Sequence, residues 1–304
     1  MSGTGSFDFP EPPLLSRAVF DRADALRSDP AALTDGWPAA QILLIDRRGR
    51  YPVDASGALR WSAAAEVAAA PPAEAIFLGV AGTHRWALAV DDLTEPVGEL
   101  RTGAHLLGAD DAGLLATALG LLNWHRSAEF SPVDGSRTTV DKAGWVRRNP
   151  ATGHEEYPRT DPAVIMVVHD GADQVLLGRQ QVWPQRWFST LAGFVEPGES
   201  AEQTVLREVA EETGVSAHSP RYLGSQPWPF PRSLMLGFEA VADPGQPIAP
   251  VDGELAEARW FHREQVRAAL AGEWGADDGA ELLLPPSVSI ARSLIAGWAG
   301  GPQR

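Results

Sequence analysis

The chain has 304 residues, no cysteine, a hydrophobic content of 44% and a formal net charge of −15. This length can bury one large core or two to three smaller ones, so we expect more than one domain. The absence of cysteine excludes disulfides, thiolate catalysis and cysteine-bound zinc or iron–sulfur sites. The acidic balance opposes non-specific binding to nucleic acid or anionic membranes, because both are polyanions. An anionic substrate then needs a local cation.

The first fourteen residues contain little that a core would bury. Glycines at 3 and 5 and prolines at 10, 12 and 13 lie among polar residues, which predicts a flexible tail over residues 1–14. Asp8 and Glu11 occupy positions where a secretion signal would need basic charge, and the chain has no run of 18 apolar residues. We therefore expect a soluble, cytoplasmic protein with no membrane partner.

Residues 15–128 predict a small α+β domain. Short apolar runs bounded by turn residues predict three strands, at residues 41–46, 75–80 and 86–90, and residues 110–126 predict a helix. Residues 129–157 are polar and rich in turn residues, which indicates a connector or a small ribbon.

From residue 158 to the end at 304, a second α+β domain is predicted. Strands are expected at residues 163–168, 174–179, 233–241 and 258–261, and helices at 201–213, 264–271 and 288–298. Mixed strands flanked by helices are typical of an α+β fold.

The most informative stretch, residues 193–215, reads GFVEPGESAEQTVLREVAEETGV. Ser200 and Gln203 predict a capping box at the start of its helix, and Gly214 predicts a left-handed end. Both boundaries of the helix are therefore marked in the sequence.

One face of this helix is acidic. With 3.6 residues per turn, Glu208, Glu211 and Glu212 share a face beside Val205 and Val209, which should be buried. Hard cations such as Mg²⁺ prefer clustered carboxylate oxygens. A solvated acidic face is the alternative, because like-charge pairs at this spacing cost only about 0.2–0.5 kcal/mol each.

The same stretch resembles the Nudix hydrolase signature, GX5EX7REUXEEXGU with U apolar, at every constrained position. The matching residues are Gly193, Glu199, Arg207, Glu208, Val209, Glu211, Glu212, Gly214 and Val215. Chance agreement is on the order of 10⁻⁹ per start position, which disfavours a merely solvated face. The resemblance implies an α/β/α-sandwich catalytic domain over residues 158–304.

The resemblance also implies hydrolysis of a nucleoside diphosphate derivative with Mg²⁺ or Mn²⁺. Such cations neutralise phosphate oxygens, lower the pKa of a bound water and align it for attack. The implied metal ligands are the carbonyl of Ala192 and the carboxylates of Glu208, Glu211 and Glu212, with Glu211 and Glu212 also as catalytic residues. Glu199 and Arg207 would brace the loop against the helix.

Residues 225–233 form the segment SQPWPFPRS. Alternating prolines stiffen it toward polyproline II geometry, so Trp228 and Phe230 are presented at little ordering cost and could stack on a base. A surface turn or a proline-rich ligand for another protein is the alternative. The segment resembles the SQPWPFPxS motif of the NADH pyrophosphatase branch of Nudix hydrolases, whose members also remove NAD caps from RNA.

Further motifs fit that branch: WHR at residues 124–126, YPR at 157–159 and LPPSVSIARSLI near the end. By motif position, Glu254 would be a fourth metal carboxylate. The implied substrate contacts are Arg101, Tyr157, Phe194, Gln226, Pro227, Trp228, Pro229, Phe230, Pro231, Arg232, Ser233 and Ala291. For Arg101 an ordinary surface arginine is the alternative, and for Tyr157 a packed aromatic.

One departure from the branch lies in its zinc ribbon. The usual two cysteine pairs are replaced by Ser131 and Asp134, then by Asn149 and Thr152. Only Asp134 is a competent zinc ligand, so no structural zinc is expected. We expect a ribbon that has lost its cysteines and is held by packing.

The resulting hypothesis is an NAD(H) diphosphatase that gives NMN(H) and AMP, with NAD-capped RNA as a further substrate and a homodimeric state. A broader dinucleotide or ADP-sugar diphosphatase is one alternative, and a non-catalytic nucleotide sensor is another. The histidines at 125, 154, 218 and 262 lack metal-binding spacing and are interpreted as surface or packing residues. No dinucleotide fingerprint follows a predicted strand, which disfavours hydride transfer.

Overall fold

The structure is a computed structural model that describes residues 7–9, 11–94, 96–250, 253–272 and 281–300. The chain divides into two compact units. The first unit comprises residues 15–160 and 227–233, and the second comprises the described parts of residues 1–14, 161–226 and 234–304. The aromatic segment 227–233, expected within the catalytic domain, therefore groups with the first unit.

The first unit is built mainly around a four-stranded sheet and one long helix. Its strands are β1 (Gln41–Ile45), β2 (Tyr51–Pro52), β3 (Ser62–Ala63), β4 (Ile76–Ala81), β5 (Thr83–Ala89), β6 (Val97–Gly98), β7 (Thr139–Asp141), β8 (Val146–Arg148) and β9 (Glu155–Glu156). Its α-helices are α1 (Pro30–Gly36), α2 (Ala64–Val67), α3 (Leu100–Gly103) and α4 (Ala109–Ser127). The main sheet has the order β3-β1-β5-β4, with β1 and β5 parallel.

Aromatic side chains fill the core of the first unit. Trp37, Phe77 and Trp86 are buried, and both Trp37 and Phe77 meet Trp86 edge-on with ring centroids 5.2 Å apart. Such edge-to-face pairs stabilise a core beyond the area they bury. The predicted strands and the helix of this domain correspond to β1, β4, β5 and α4, within a few residues at each end.

Residues 129–157 form a ribbon, the three-stranded sheet β7-β8-β9, which needs no cysteine. The Asn149 side chain is buried, and its Nδ2 donates to Asp134 Oδ2 at 2.9 Å and to Ser136 Oγ at 2.7 Å. Its Oδ1 accepts from the backbone N–H of Ala151 at 3.0 Å. An amide thus connects two turns at positions where the zinc ribbon carries cysteines. The donor set of Ser131, Asp134, Asn149 and Thr152 does not fit zinc.

The second unit is a six-stranded sheet with helices on both faces. Its strands are β10 (Asp161–His169), β11 (Gln174–Gln180), β12 (Leu191–Phe194), β13 (Ala217–Trp228), β14 (Ser233–Ala242) and β15 (Leu255–His262). Its α-helices are α5 (Ala201–Thr213), α6 (Arg263–Ala271) and α7 (Ile290–Gly300). The order is β13-β14-β10-β11-β15, and β12 pairs antiparallel with β10.

Strand β10 shows how the sheet separates two cores. Successive side chains of a strand point to opposite faces. Val164 and Met166 share a buried cluster with Val209 of α5, whereas Ile165 and Val167 share another with helix α7. Burial on both faces explains the continuous apolar run of β10. The predicted α/β/α sandwich is confirmed.

The start of the chain differs from the expected tail. Phe7 is buried in the same cluster as α7. Arg221 of β13 donates to the Phe7 carbonyl and contacts Asp8 Oδ1 at 3.2 Å. The sequence interpretation weighed the prolines and overlooked the aromatic side chains at 7 and 9, which provide apolar area that a core can bury.

Strands β12 and β13 were not predicted. Strand β12 is short, and β13 carries polar residues along much of its length. Residues 225–228 are the end of β13 and residues 229–232 a turn into β14, so the expected polyproline II loop is a hairpin instead. Among the helices of the described residues, none has the length and apolar content required to cross a bilayer.

The hydrogen bonds of Asn149 generate a testable prediction. Replacement Asn149→Ala removes a buried amide that hydrogen-bonds to Asp134, Ser136 and Ala151, so we expect the free energy of unfolding to fall by about 1–3 kcal/mol in urea titrations. The control Thr139→Ala removes an exposed hydroxyl with one hydrogen bond of 3.3 Å, and we expect its free energy of unfolding to fall by about 0.5 kcal/mol or less.

The ribbon is also expected to be stable without metal, so chelators should leave the midpoint of wild-type unfolding unchanged. Stoichiometric zinc in elemental analysis would contradict a metal-free ribbon.

Candidate active site

The acidic helix α5 begins and ends where the sequence predicts. Ser200 Oγ accepts from the backbone of Gln203 at 3.2 Å, and Gln203 Oε1 accepts from the backbone of Ser200 at 2.8 Å. Gly214 has a φ of 73° and ends the helix in the left-handed region. A Cβ there would lie 2.6 Å from the carbonyl oxygen of Ala249. Both the left-handed backbone and the lack of space for a side chain therefore require glycine at this position.

One guanidinium organises the acidic face of the second unit. Arg207 contacts Glu199 through Nε at 2.7 Å and through Nη2 at 2.8 Å. Its Nη1 donates to Glu208 at 2.8 Å and to Glu211 at 2.9 Å. Its Nη2 also donates to the carbonyl of Phe194 at 3.0 Å. The expected brace between loop and helix is present, and the same arginine also binds two of the proposed metal ligands.

The pKa values of Glu199 and Glu208 are shifted in opposite directions. The hydrogen bonds of Arg207 lower the pKa of Glu199 to about 2. Burial raises the pKa of Glu208, and it outweighs the pairing with Arg207, while the charges of Glu211 and Glu254 add to the increase. Glu208 therefore carries a charge that is incompletely compensated by the protein.

Glu208 lies directly against strand β12. A Cβ built on Gly193 would lie 1.9 Å from the carboxyl carbon of Glu208, so only a hydrogen at position 193 leaves room for this side chain. The Glu208 side chain is 13% exposed. Gly193, the first glycine of the signature, thus leaves room for the Glu208 carboxylate beside strand β12. The same strand carries the Ala192 carbonyl.

The remaining proposed metal ligands lie on the same second unit. Glu212 is buried and Glu254 is exposed, and the Glu254 charge acts on Glu208. Within the described ranges, no three acidic or histidine side chains are drawn together into a ready metal-binding group. The donor set nevertheless fits a hard divalent cation, because it consists of carboxylate oxygens and one carbonyl oxygen.

The aromatic hairpin turn belongs to the first unit and carries its own cation. Trp228 and Phe230 meet edge-on with ring centroids 4.9 Å apart. The Arg101 guanidinium carbon is 4.6 Å from the Phe230 ring centroid and 5.8 Å from that of Trp228. Arg101 is exposed, as a surface arginine would be, and these cation–π contacts hold its guanidinium beside the turn. Pro229 within the turn is buried, while Pro227 and Pro231 are exposed and Arg232 and Ser233 half-buried.

Two of the residues expected to contact the substrate, Gln226 and Ala291, have side chains that are buried within the second unit. Gln226 is fully buried, its Nε2 donates to the carbonyl of Val288 at 2.8 Å, and its Oε1 accepts from the backbone of Ile290 at 2.8 Å. Ala291 is buried on helix α7. Gln226 therefore fixes the start of α7. By contrast, Phe194 at the end of β12 is 59% exposed.

Tyr157 of the first unit is also exposed, at 60%, and its hydroxyl donates to Glu155 Oε2 at 2.6 Å. This favours an available ring over a packed aromatic. His125 is a packing residue as expected, because Nε2 lies 2.8 Å from the Gly144 carbonyl and burial lowers its pKa to about 4.

Sequence reasoning missed Asn123. Its Nδ2 on helix α4 donates to the carbonyls of Pro229 at 3.0 Å and Pro231 at 2.9 Å. Two backbone acceptors of the aromatic turn are therefore held by one amide. Asn123 directly precedes the WHR motif, and this adjacency was the one available signal.

Comparison with known families gives two matches. The NUDIX domain matches residues 159–281, and the NADH pyrophosphatase zinc ribbon domain matches residues 126–157. The chain is 52% identical over 297 residues to the NAD-capped RNA hydrolase NudC of Mycobacterium bovis (strain BCG / Pasteur 1173P2), covering 94% of this chain and 95% of that protein.

A more distant relative is the NAD-capped RNA hydrolase of Schizosaccharomyces pombe. It is 40% identical over 216 residues, which cover 65% of this chain and 57% of that protein. Among solved structures, the chain is similar to a NUDIX hydrolase from Nitrosomonas europaea, with 20% identity and a TM-score of 0.39 over 45% of this chain and 78% of that one.

The contact between Gly193 and Glu208 predicts a loss of metal affinity. In Gly193→Ala the added methyl displaces the Glu208 carboxylate, so we expect Mn²⁺ to bind about tenfold or more weakly in calorimetric titrations. The control Gly120→Ala adds the same methyl on helix α4, where it meets no atom within 4 Å. If Gly193→Ala bound Mn²⁺ with wild-type affinity, metal binding would not depend on the position of the Glu208 carboxylate against residue 193.

Proposed function

The chain belongs to the NADH pyrophosphatase branch of the Nudix hydrolases, and we propose that it hydrolyses the diphosphate linkage of NAD(H), giving NMN(H) and AMP, and removes NAD caps from RNA 5′ ends. The observation that carries the proposal is the intact acidic face of α5, on a chain that matches an NAD-capped RNA hydrolase over almost its whole length.

We propose that Mg²⁺ or Mn²⁺ is held by the Ala192 carbonyl and by Glu208, Glu211, Glu212 and Glu254. When bound, the cations supply charge for the phosphate oxygens and lower the pKa of the attacking water. The chain provides oxygen ligands on one helix face and, in Arg207, a cation that limits their mutual repulsion.

The hydrolysis itself needs a base. Water attacks one phosphorus, the bond from that phosphorus to the bridging oxygen breaks, and each product leaves with one phosphate group. We assign acceptance of the water proton to Glu211 or Glu212. Glu211 is 48% exposed and reaches solvent, whereas Glu212 is buried and has a better-defined position. No covalent intermediate is required.

We propose substrate contacts on each unit separately. The aromatic turn is expected to contact a base through Trp228 and Phe230, and Arg101 to contact an anionic group. Tyr157 and Phe194 expose further rings. Gln226 and Ala291 are proposed to act through the backbone they position. The remaining proposed contacts are Pro227, Pro229, Pro231, Arg232 and Ser233.

The net charge of −15 bears on the choice between substrates. It provides no electrostatic track for a long RNA, so a capped RNA should be recognised at its 5′ end alone. Comparison of kcat/KM for NADH, NAD⁺ and NAD-capped RNA would rank the three. A homodimeric state and a cytoplasmic location belong to the same proposal and follow from the family resemblance.

Glu212→Gln tests the proposed chemistry. It keeps the shape of the side chain and removes its charge and basicity, so we expect kcat for NADH to fall about 100-fold or more, with AMP and NMNH as the only products of the residual activity. The matched control Glu202→Gln changes an exposed glutamate in the first turn of the same helix and should retain activity. Chromatographic product analysis measures both. Unchanged turnover in Glu212→Gln would refute the role.

Asn123→Ala tests the aromatic turn. Loss of the amide leaves the carbonyls of Pro229 and Pro231 without their donor, so the turn should lose order and KM for NADH should rise about threefold to tenfold with kcat much less affected. The control Thr117→Ala lies on the same helix and removes a hydroxyl that bonds only to the helix backbone. A fall confined to kcat would argue that Asn123 does not act through substrate binding.

A further inference from the structure

A cavity of about 310 Å³ in the first unit shares Tyr157 with the proposed substrate contacts, and its other lining residues have no assigned role. Its walls come from three separate segments of the unit: residues 24–28 near its start, residues 142–146 of the ribbon, and Tyr157 with Pro158. Two of the lining side chains, Arg27 and Lys142, are cationic in a protein of net charge −15.

Arg27 is held rigidly in the wall of this cavity. Its guanidinium carbon lies 3.6 Å from the ring centroid of Trp145. The indole is fixed in turn, because its Nε1 donates to the carbonyl of Phe77 at 2.6 Å. The Arg27 side chain is 13% exposed. A guanidinium stacked on an anchored indole is pre-organised to bind an anion.

The protein compensates the charge of Arg27 only in part. Nη1 is 3.0 Å from Asp24, whose side chain is 89% exposed, so solvent screens this ion pair. Nη2 donates to the carbonyl of Arg22 at 3.3 Å. Nε is buried and has no acceptor among the described residues. A buried N–H without an acceptor is destabilising, and a bound anion would supply both the acceptor and the missing charge.

A second guanidinium lies nearby. The guanidinium carbon of Arg22 is 5.8 Å from the centroid of the Trp145 ring on which Arg27 stacks. Burial lowers the pKa of Arg27, Asp24 raises it, and the charge of Arg22 lowers it further. Two like charges beside one indole repel each other, so an anion bound at Arg27 would offset part of that repulsion.

The ribbon side of the cavity has a strained backbone. Lys142, Ala143 and Gly144 have consecutive positive φ values of 45°, 50° and 92°. Non-glycine residues adopt this region at a cost and cluster at ligand sites. The turn places Lys142 Nζ 2.9 Å from Glu155 and 6.0 Å from the ring centroid of Tyr157.

We propose that this cavity binds a phosphate monoester, with Arg27 and Lys142 contacting the phosphate oxygens and the exposed Tyr157 ring flanking the attached group. A planar guanidinium matches the geometry of phosphate, and an ammonium adds a point charge. The volume suits a phosphate with a sugar and is at the lower limit for ligand pockets. Binding here requires neither the glutamates of α5 nor a divalent cation, so it goes beyond the proposed hydrolysis.

The test is calorimetric titration of the full-length protein in EDTA with AMP and, separately, with inorganic phosphate. We expect Arg27→Gln to weaken AMP binding about tenfold or more, and Lys142→Gln about threefold or more, because each removes a charged contact. The control Arg47→Gln removes an arginine whose side chain is 77% exposed, and it should bind as the wild type does. Glu212→Gln should also leave this metal-independent binding unchanged.

The two ligands distinguish the source of the phosphate. Tighter binding of AMP than of phosphate would show that the wall at Tyr157 contacts the nucleoside, and equal affinities would show recognition of phosphate alone. The proposal is overturned if neither ligand binds the wild type at about 10 mM, or if both substituted proteins bind like the wild type. Loss of binding in Glu212→Gln would also overturn it, by assigning the ligand to α5. Should Arg27→Gln fail to fold in urea titrations, the half-exposed Lys142 decides the outcome.

Discussion

The chemistry of the second unit depends on one arginine that holds mutually repelling carboxylates within reach of each other. Arg207 contacts Glu199, Glu208 and Glu211 and also the carbonyl of Phe194. A helix face with several glutamates is disfavoured by repulsion, and repulsion is strongest where burial removes solvent screening. By binding Glu199 with two nitrogens, Arg207 fixes the entry loop. By binding Glu208 and Glu211 with a third, it keeps the proposed metal-binding face compact.

The Nudix fold of the second unit supplies the surfaces against which this cluster is held. Strand β12 pairs with β10 through residues 191–194, so Gly193 lies in the sheet directly beneath Glu208. Val205 and Val209 bury the adjacent stripe of α5 against the same sheet. The helix therefore cannot rotate away from β12 without exposing apolar area, which costs about 25 cal/mol per Å². The packing of the valine stripe thus fixes the position of the glutamates on the stripe beside it.

Local signals in the sequence were sufficient to predict helix α5 but not the segments that pack around it. Ser200, Gln203 and Gly214 determine the ends of α5 through contacts within a few residues, and these were predicted correctly. Strand β12 was missed because four residues carry too little periodicity. The buried positions of Phe7 and Gln226 were missed as well, since each depends on partners far away in sequence. The loss of the cysteines was evident from the sequence, but the hydrogen bonds of Asn149 that replace a metal link depend on the folded ribbon.

A protein of net charge −15 can bind phosphorylated ligands where its cations are not fully neutralised by its own carboxylates. Several arginines of the described chain are paired with aspartate or glutamate, as Arg148 is with Asp141 and Glu155. Arg101 contacts the aromatic rings of the hairpin turn, and Arg27 stacks on Trp145 and retains a buried N–H without an acceptor. Aromatic faces attract a cation without supplying a full negative charge, so they position a guanidinium and leave its affinity for anions largely intact. Pairing arginine with aromatic rings is therefore one way in which an acidic chain can keep local sites for anions, and it is the arrangement on which both proposals for Arg101 and Arg27 depend.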